Sequence, residues 1–277
     1  MKNYAHLEVL VDTQWVAHHL NDPKVRLLDV QLTPTAYNAG HVPGAVFWNA
    51  FGTILQPDHR TNFDQAAFEA GCSRSGIAND TTVIVYSDHS AVAPWVFWYF
   101  RVFGHDDVHV MNGGRKKWID EGRPLSTESP AVTATTYVAQ PPDLTTRALQ
   151  EHVRAAVGAP DRVLIDTRRP EEYRGEWFRT EPPKENERAG HIPGATYIYY
   201  EDALNADGTF KSRQELDLLY RSKGVMPEKD TITYCAIGIR AAHTWFVLTQ
   251  LLGFPHVRSY DGSWNEWGRL QDTPIEK

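Results

Sequence analysis

The residues best suited to chemistry begin at Cys235. Cys235, Ala236, Ile237, Gly238, Ile239 and Arg240 follow the β-rich run 230–234 and precede a helical pattern that opens at Ala241. A turn from a parallel strand into a helix aims successive backbone N–H groups inward, and the helix N-terminus adds positive potential. Both effects favour thiolate, the nucleophilic form of sulfur. Gly238 allows the backbone a positive φ, and Arg240 supplies a fixed cation. The spacing predicts a catalytic Cys235 in an anion cradle formed by residues 236–240. The alternative is an inert buried thiol at a strand end, a common place for free cysteine. Further cations, Arg174, Arg179, Lys184 and Arg188, lie in or beside the polar, Pro-containing segment 175–188, which reads as a surface loop. Each of them could equally be a solvated loop charge. The second cysteine, Cys72, precedes a strand and reads as structural.

The elements that must position this loop occur twice. Ala39-Gly-His-Val-Pro-Gly-Ala45 and Ala189-Gly-His-Ile-Pro-Gly-Ala195 lie 150 positions apart. Each is preceded by an apolar run ending in an aspartate, Asp29 or Asp166, and followed by a second apolar run ending at Tyr86 or Tyr234. A helical apolar segment comes next in each copy. Trp118 and Trp267 then close related segments 149 positions apart. Four landmarks in one order indicate a duplicated domain. Short β-rich runs alternating with helical patterns predict a mainly parallel sheet flanked by helices in each copy, an α/β fold. The expected division is a first domain over 1–125, an extended linker over 126–140 rich in Thr, Ala and Pro, and a second domain over 141–277. A helix over 147–157, capped by Asp143 or Thr145, is expected to open the second copy. Aligning Tyr86 with Tyr234 places Ser87 opposite Cys235, followed by a stretch without cysteine, arginine or glycine. Chemistry is therefore expected in the second copy and support in the first.

The 277 residues suffice for two domains at about 150 residues each. With 28 Lys plus Arg against 35 Asp plus Glu, the net charge is −7, a poor footprint for nucleic acid. No apolar stretch is long enough to span a bilayer, and the N-terminus lacks the apolar core of a secretory signal, so no membrane partner and a cytoplasmic location are expected. Two cysteines do not make a disulfide framework. The 12 histidines show no zinc-ligand spacing with cysteine, and His41 and His191 are expected to orient the turns before Pro-Gly.

The paired Gly-His-Val/Ile-Pro-Gly-Ala segments, the Asp261-Gly-Ser-Trp264 segment and the Cys-x-x-Gly-x-Arg loop together resemble the tandem rhodanese family over nearly the whole chain. The resemblance implies two tandem rhodanese-like domains, the second catalytic, and a thiosulfate sulfurtransferase or a 3-mercaptopyruvate sulfurtransferase. It implies that Cys235 takes a sulfane sulfur from a small-molecule donor as a persulfide and passes it to cyanide or another thiophilic acceptor, with no metal or organic cofactor. It also matches Arg174 and Lys184 to substrate-binding arginines of the family, the lysine being a departure. With Arg188 and Arg240 they form the expected substrate-binding set. Relatives specialised for 3-mercaptopyruvate carry a Cys-Gly-Ser-Gly-Val-Thr loop; here Ile237 stands at the serine position and cannot carry a proton, which favours thiosulfate. Rhodanese-like phosphatases and arsenate reductases place five residues between Cys and Arg, whereas Cys235 and Arg240 enclose four. A non-catalytic persulfide carrier or binding module is the third alternative.

Overall fold

Parallel strands joined by helices are buried on both faces, so they read as short continuous apolar runs instead of alternating ones. Thr82-Val-Ile-Val-Tyr86 is such a run, with its last four residues buried. The computed structural model describes residues 3–277 and contains ten strands. The first five are β1 (Leu10–Val11), β2 (Val25–Gln31), β3 (Val46–Asn49), β4 (Thr82–Tyr86) and β5 (Val108–Met111). They form one parallel sheet in the order β1-β5-β4-β2-β3. The second five are β6 (Arg147–Ala148), β7 (Arg162–Asp166), β8 (Thr196–Tyr197), β9 (Asp230–Tyr234) and β10 (Val257–Tyr260). Their order, β6-β10-β9-β7-β8, repeats the first, again all parallel. Register repeats too: Asp29 lies beside Tyr86, and Asp166 beside Tyr234. The duplicated α/β architecture expected from the repeats is thus the one observed.

The repeated Gly-His-x-Pro-Gly turn is held by the same bonds in both copies. The Tyr86 hydroxyl accepts from Val42 N at 3.0 Å, and the Tyr234 hydroxyl accepts from Ile192 N at 3.1 Å. His41 stacks on Tyr37 at 3.7 Å with its Nδ1 on the Tyr37 carbonyl, while His191 stacks on Tyr173 at 3.9 Å with its Nδ1 on the Tyr173 carbonyl. Each tyrosine at the end of β4 or β9 therefore ties its strand to the turn that precedes the edge strand β3 or β8, two places away in the sheet.

The chain forms two compact units that do not coincide with the linear halves. One contains Leu7–Leu144 and Leu204–Phe210; the other contains the N-terminal residues through His6, Thr145–Ala203 and Lys211–Lys277. In the first unit, Asn112 Oδ1 accepts from Phe210 N at 2.9 Å and Lys117 pairs with Asp207 at 3.0 Å. In the second, Ala5 N and His6 N donate to the carbonyls of Leu251 and Gln250, each at 2.9 Å.

Two local expectations are corrected. Residues 126–140 are extended, yet they are docked along the first unit instead of forming a free linker. Thr135 N donates to Ser73 O, Gln140 N to Phe103 O and Ala139 N to Glu69 Oε1, and Tyr137 is buried. The helix expected over 147–157 is Gln150–Ala156, capped at Leu149. Arg147 and Ala148 instead form β6, whose partners Ser259 and Tyr260 are distant in sequence. Among the described residues no helix is long and apolar enough to cross a membrane.

Candidate functional site

Cys235 leaves the end of β9 and is enclosed by the turn that follows β10. Its N–H donates to Ser263 Oγ at 3.0 Å, and its carbonyl accepts from Trp264 N at 2.9 Å. One residue on, the Ala236 carbonyl accepts from Asn265 N at 2.9 Å. The Ser263 hydroxyl donates its proton to the Tyr260 carbonyl at 2.7 Å, which leaves its oxygen as the acceptor for Cys235 N. Ser263 takes a left-handed φ of 49°, costly for a residue with a Cβ. The turn itself is braced by Arg147, which grips the buried Asp261 through two bonds of 2.8 and 3.0 Å.

The thiol receives Gly238 N–H at 3.2 Å, the bond an anionic sulfur requires from its loop. Gly238 sits at φ 91° and is the N-cap of the helix Ile239–Phe246. A Cβ there would stand 2.9 Å from both the Cα and the carbonyl oxygen of Asp261, so the position demands glycine on two grounds. Cys235 has no exposed surface, while Ile237 is partly exposed.

Arg240 is in the loop as expected, but its charge is already engaged. Its guanidinium forms a fork on Glu172, at 2.7 Å to Oε2 and 2.9 Å to Oε1. Burial works against the Arg240 cation, and the hydrogen bonds and charge of Glu172 more than offset it, holding the group well above its ordinary range. Glu172 lies in the short helix Pro170–Tyr173 and also accepts from Arg169 N at 3.0 Å. A second fork lies beneath: Arg168, fully buried, binds Asp166 and the Gly190 carbonyl and stacks over Trp264 at 4.3 Å.

The remaining expected cations fall elsewhere on the second unit. Arg174 is 53% exposed and pairs with Glu176 at 2.7 Å, and Lys184 is 68% exposed and pairs with Glu181. Arg188 spends its guanidinium on the carbonyls of Thr273, Trp267 and Leu270, tying down the C-terminal segment. Sequence reasoning missed Glu172, Arg168 and Ser263. Comparing Gly114 with Ser263, and Gln31 with Arg168, across the repeat would have marked two of them.

In the first unit the corresponding place is a cavity of about 350 Å³ lined by Gln31, Thr33, Asp88, His89 and Arg115 among others. Ser87 replaces the cysteine and Gly114, at φ 55°, replaces Ser263. Arg115 takes over one contact of Arg168, its Nη2 donating to the Gly40 carbonyl at 2.6 Å, but its charge pairs with Asp88 and not with the buried Asp29.

Two α/β units of one topology, one of them carrying a cysteine in a Cys-x-x-Gly-x-Arg loop, define a tandem sulfur-handling fold. The family model for the rhodanese-like domain matches residues 12–121 and 149–270, and the chain belongs to that family. It is 46% identical to "Sulfur carrier protein TtuD" of Thermus thermophilus, over 99% of this chain and 98% of that protein. It is 43% identical to a Mycolicibacterium smegmatis protein named "Putative thiosulfate sulfurtransferase", over 98% and 99% of the two chains. Among solved structures, the anaerobic ergothioneine biosynthesis enzyme from Chlorobium limicola shares the fold. Its TM-score is 0.86 at 24% identity, over 100% of this chain and 72% of that one. The family membership and these relatives make the chain a member of a sulfurtransferase family.

Proposed function

We propose that the protein transfers sulfane sulfur from thiosulfate to a thiophilic acceptor through a persulfide on Cys235. The observation that carries this reading is the Gly238 N–H held 3.2 Å from Cys235 Sγ, in a loop clamped from behind by Asp261 and Ser263. The Cys235 thiolate attacks the outer sulfur of thiosulfate; a new S–S bond forms, the old one breaks, and its electron pair leaves with sulfite. A thiophile such as cyanide then attacks the terminal sulfur of the persulfide, and the electron pair of that bond returns to Cys235 as thiolate. No metal or organic cofactor takes part in these steps, since the persulfide itself carries the sulfur. Backbone N–H groups oriented before reaction stabilise the charge on the moving sulfur without reorganisation. Ile237, the partly exposed side chain of the loop, has no group to donate a proton, which supports thiosulfate over 3-mercaptopyruvate as donor. The partners are thus a small anionic donor and a small or protein-borne thiophile.

Intact-mass measurement after incubation with thiosulfate tests this. One added sulfur on the wild type and none on Cys235→Ala is expected. A higher kcat/KM on 3-mercaptopyruvate than on thiosulfate would overturn the choice of donor. A second reading is favoured by the relative named as a sulfur carrier: the persulfide would be handed to another protein. Loading by thiosulfate followed by negligible turnover with cyanide would select it.

A further inference from the structure

The turn behind the thiol differs between the two copies at one strained position. Where the first unit has Gly114 at φ 55°, the second has Ser263 at φ 49°. That region of φ is free for glycine and strained for a residue with a Cβ. The first unit also has no room for a side chain there, since a Cβ on Gly114 would stand 2.7 Å from the Ser87 carbonyl oxygen. The copy that carries the cysteine has thus made space for a side chain where its sister takes glycine. Strain kept beside a nucleophile points to the group it delivers, and Ser263 delivers a single hydroxyl.

That hydroxyl is fully buried, as is Cys235. Its oxygen accepts from Cys235 N at 3.0 Å. Its one proton has two acceptors in reach, the Tyr260 carbonyl at 2.7 Å and Cys235 Sγ at 4.0 Å. The carbonyl wins while the sulfur is a neutral thiol, which is a weak acceptor. A charged acceptor makes a hydrogen bond roughly twice as strong, and buried surroundings enlarge the difference. Turning the O–H about the Cβ–Oγ bond redirects it, and Oγ and Sγ need only close up from 4.0 Å. Gly238 N–H already reaches the same sulfur at 3.2 Å. The thiolate then has two donors from separate segments, one in the loop and one in the turn after β10.

We propose that Ser263 is a switchable donor to Cys235: its proton rests on the Tyr260 carbonyl while the sulfur is neutral and turns to Sγ when the sulfur is a thiolate. That state occurs before Cys235 attacks the sulfur donor and again after the acceptor has left with the sulfane sulfur. The proposal rests on reading Cys235 as the nucleophile that accepts sulfur.

Ultraviolet absorbance of the thiolate followed against pH tests it, with the Cys235→Ala counterpart of each protein subtracted so that the tyrosines and Cys72 cancel. Ser263→Ala keeps the strained Cβ and removes the hydroxyl; Ser263→Gly removes both and restores the residue of the first copy. The midpoint of Cys235 ionisation should move up by roughly one pH unit in both variants, the worth of one hydrogen bond to a charged group. The neighbouring charges are paired as Asp261 with Arg147 and Arg240 with Glu172, and neither variant removes a member of those pairs. Circular dichroism establishes the fold of each variant. An unmoved midpoint, a move in Ser263→Ala that is absent in Ser263→Gly, or no ionisation of Cys235 in the wild type would overturn the proposal. Loss of the fold in both variants would make Ser263 structural and overturn it as well. Thiosulfate loading read by intact mass separates the two readings. If the midpoint moves but thiosulfate never loads the wild type, the role of Ser263 stands and the proposed donor falls.

Discussion

Glu172 carries more than its sequence context suggests. With 1% of its side chain exposed, it accepts both arms of Arg240 and the Arg169 N–H, so three donors depend on one carboxylate. Removing one partner of a buried pair leaves the other charged and uncompensated, typically at about 3–5 kcal/mol. Glu172→Ala should therefore lower stability by about 3 kcal/mol in denaturant titration, and slow sulfur loading of Cys235 by releasing the loop end. Glu172→Gln, which keeps one acceptor, should lose less of both. A variant as stable as wild type would show that the fork adds little. Cys72 provides an internal contrast, since burial pushes its thiol far above the ordinary range and holds it neutral. No sulfur should be found on Cys72 when peptides are mapped after thiosulfate treatment.

At the level of elements, the loop and the turn behind it form one unit, and glycine is required where they meet. Gly238→Ala must accept φ 91° and also separate its Cβ from the Asp261 main chain at 2.9 Å. Gly224, at φ 78°, has nothing within 4 Å of a Cβ. Gly224→Ala should thus cost about 1 kcal/mol from backbone strain alone, whereas Gly238→Ala should cost more and reduce loading of Cys235 by at least tenfold. Melting temperature and loading rate measured on both variants check this. Much of the site was legible because it is local: the Cys235-to-Arg240 spacing, the Gly238 bend and the paired Gly-His turns are contiguous in the chain. What was not legible depends on distant partners. Nothing in the adjacent Glu171 and Glu172 tells which one turns inward to Arg240. Arg147 and Ala148 read as the start of a helix because a two-residue strand has no periodicity, and its status comes from Ser259 and Tyr260.

Across the whole molecule, the two units solve one electrostatic problem differently. Each interior strand β2 or β7 buries an aspartate beside a tyrosine of the central strand, β4 or β9. In the second unit Arg168 neutralises Asp166, while in the first Asp29 accepts from the neutral Gln31 Nε2 at 2.6 Å and its other oxygen is buried without a partner. Burial pushes the Asp29 carboxyl up to about 6 from its ordinary 3.8, opposed by the hydrogen bond from Gln31. A carboxyl raised in the folded state contributes stability that is complete below about pH 4 and is lost as pH rises through about 6. The interval is worth about 3 kcal/mol. Asp29→Asn should therefore be more stable than wild type at pH 8 and lose that advantage by pH 4, as measured by unfolding across pH. The duplicated fold and the copy that carries the Cys235 loop were both readable from the repeats, but the exchange of short segments between the two units was not. That exchange has a consequence for synthesis on the ribosome. The first unit lacks its last seven residues until Phe210 has emerged, well inside the second copy, and the N-terminal residues made first wait for Leu251 before their main-chain partners exist.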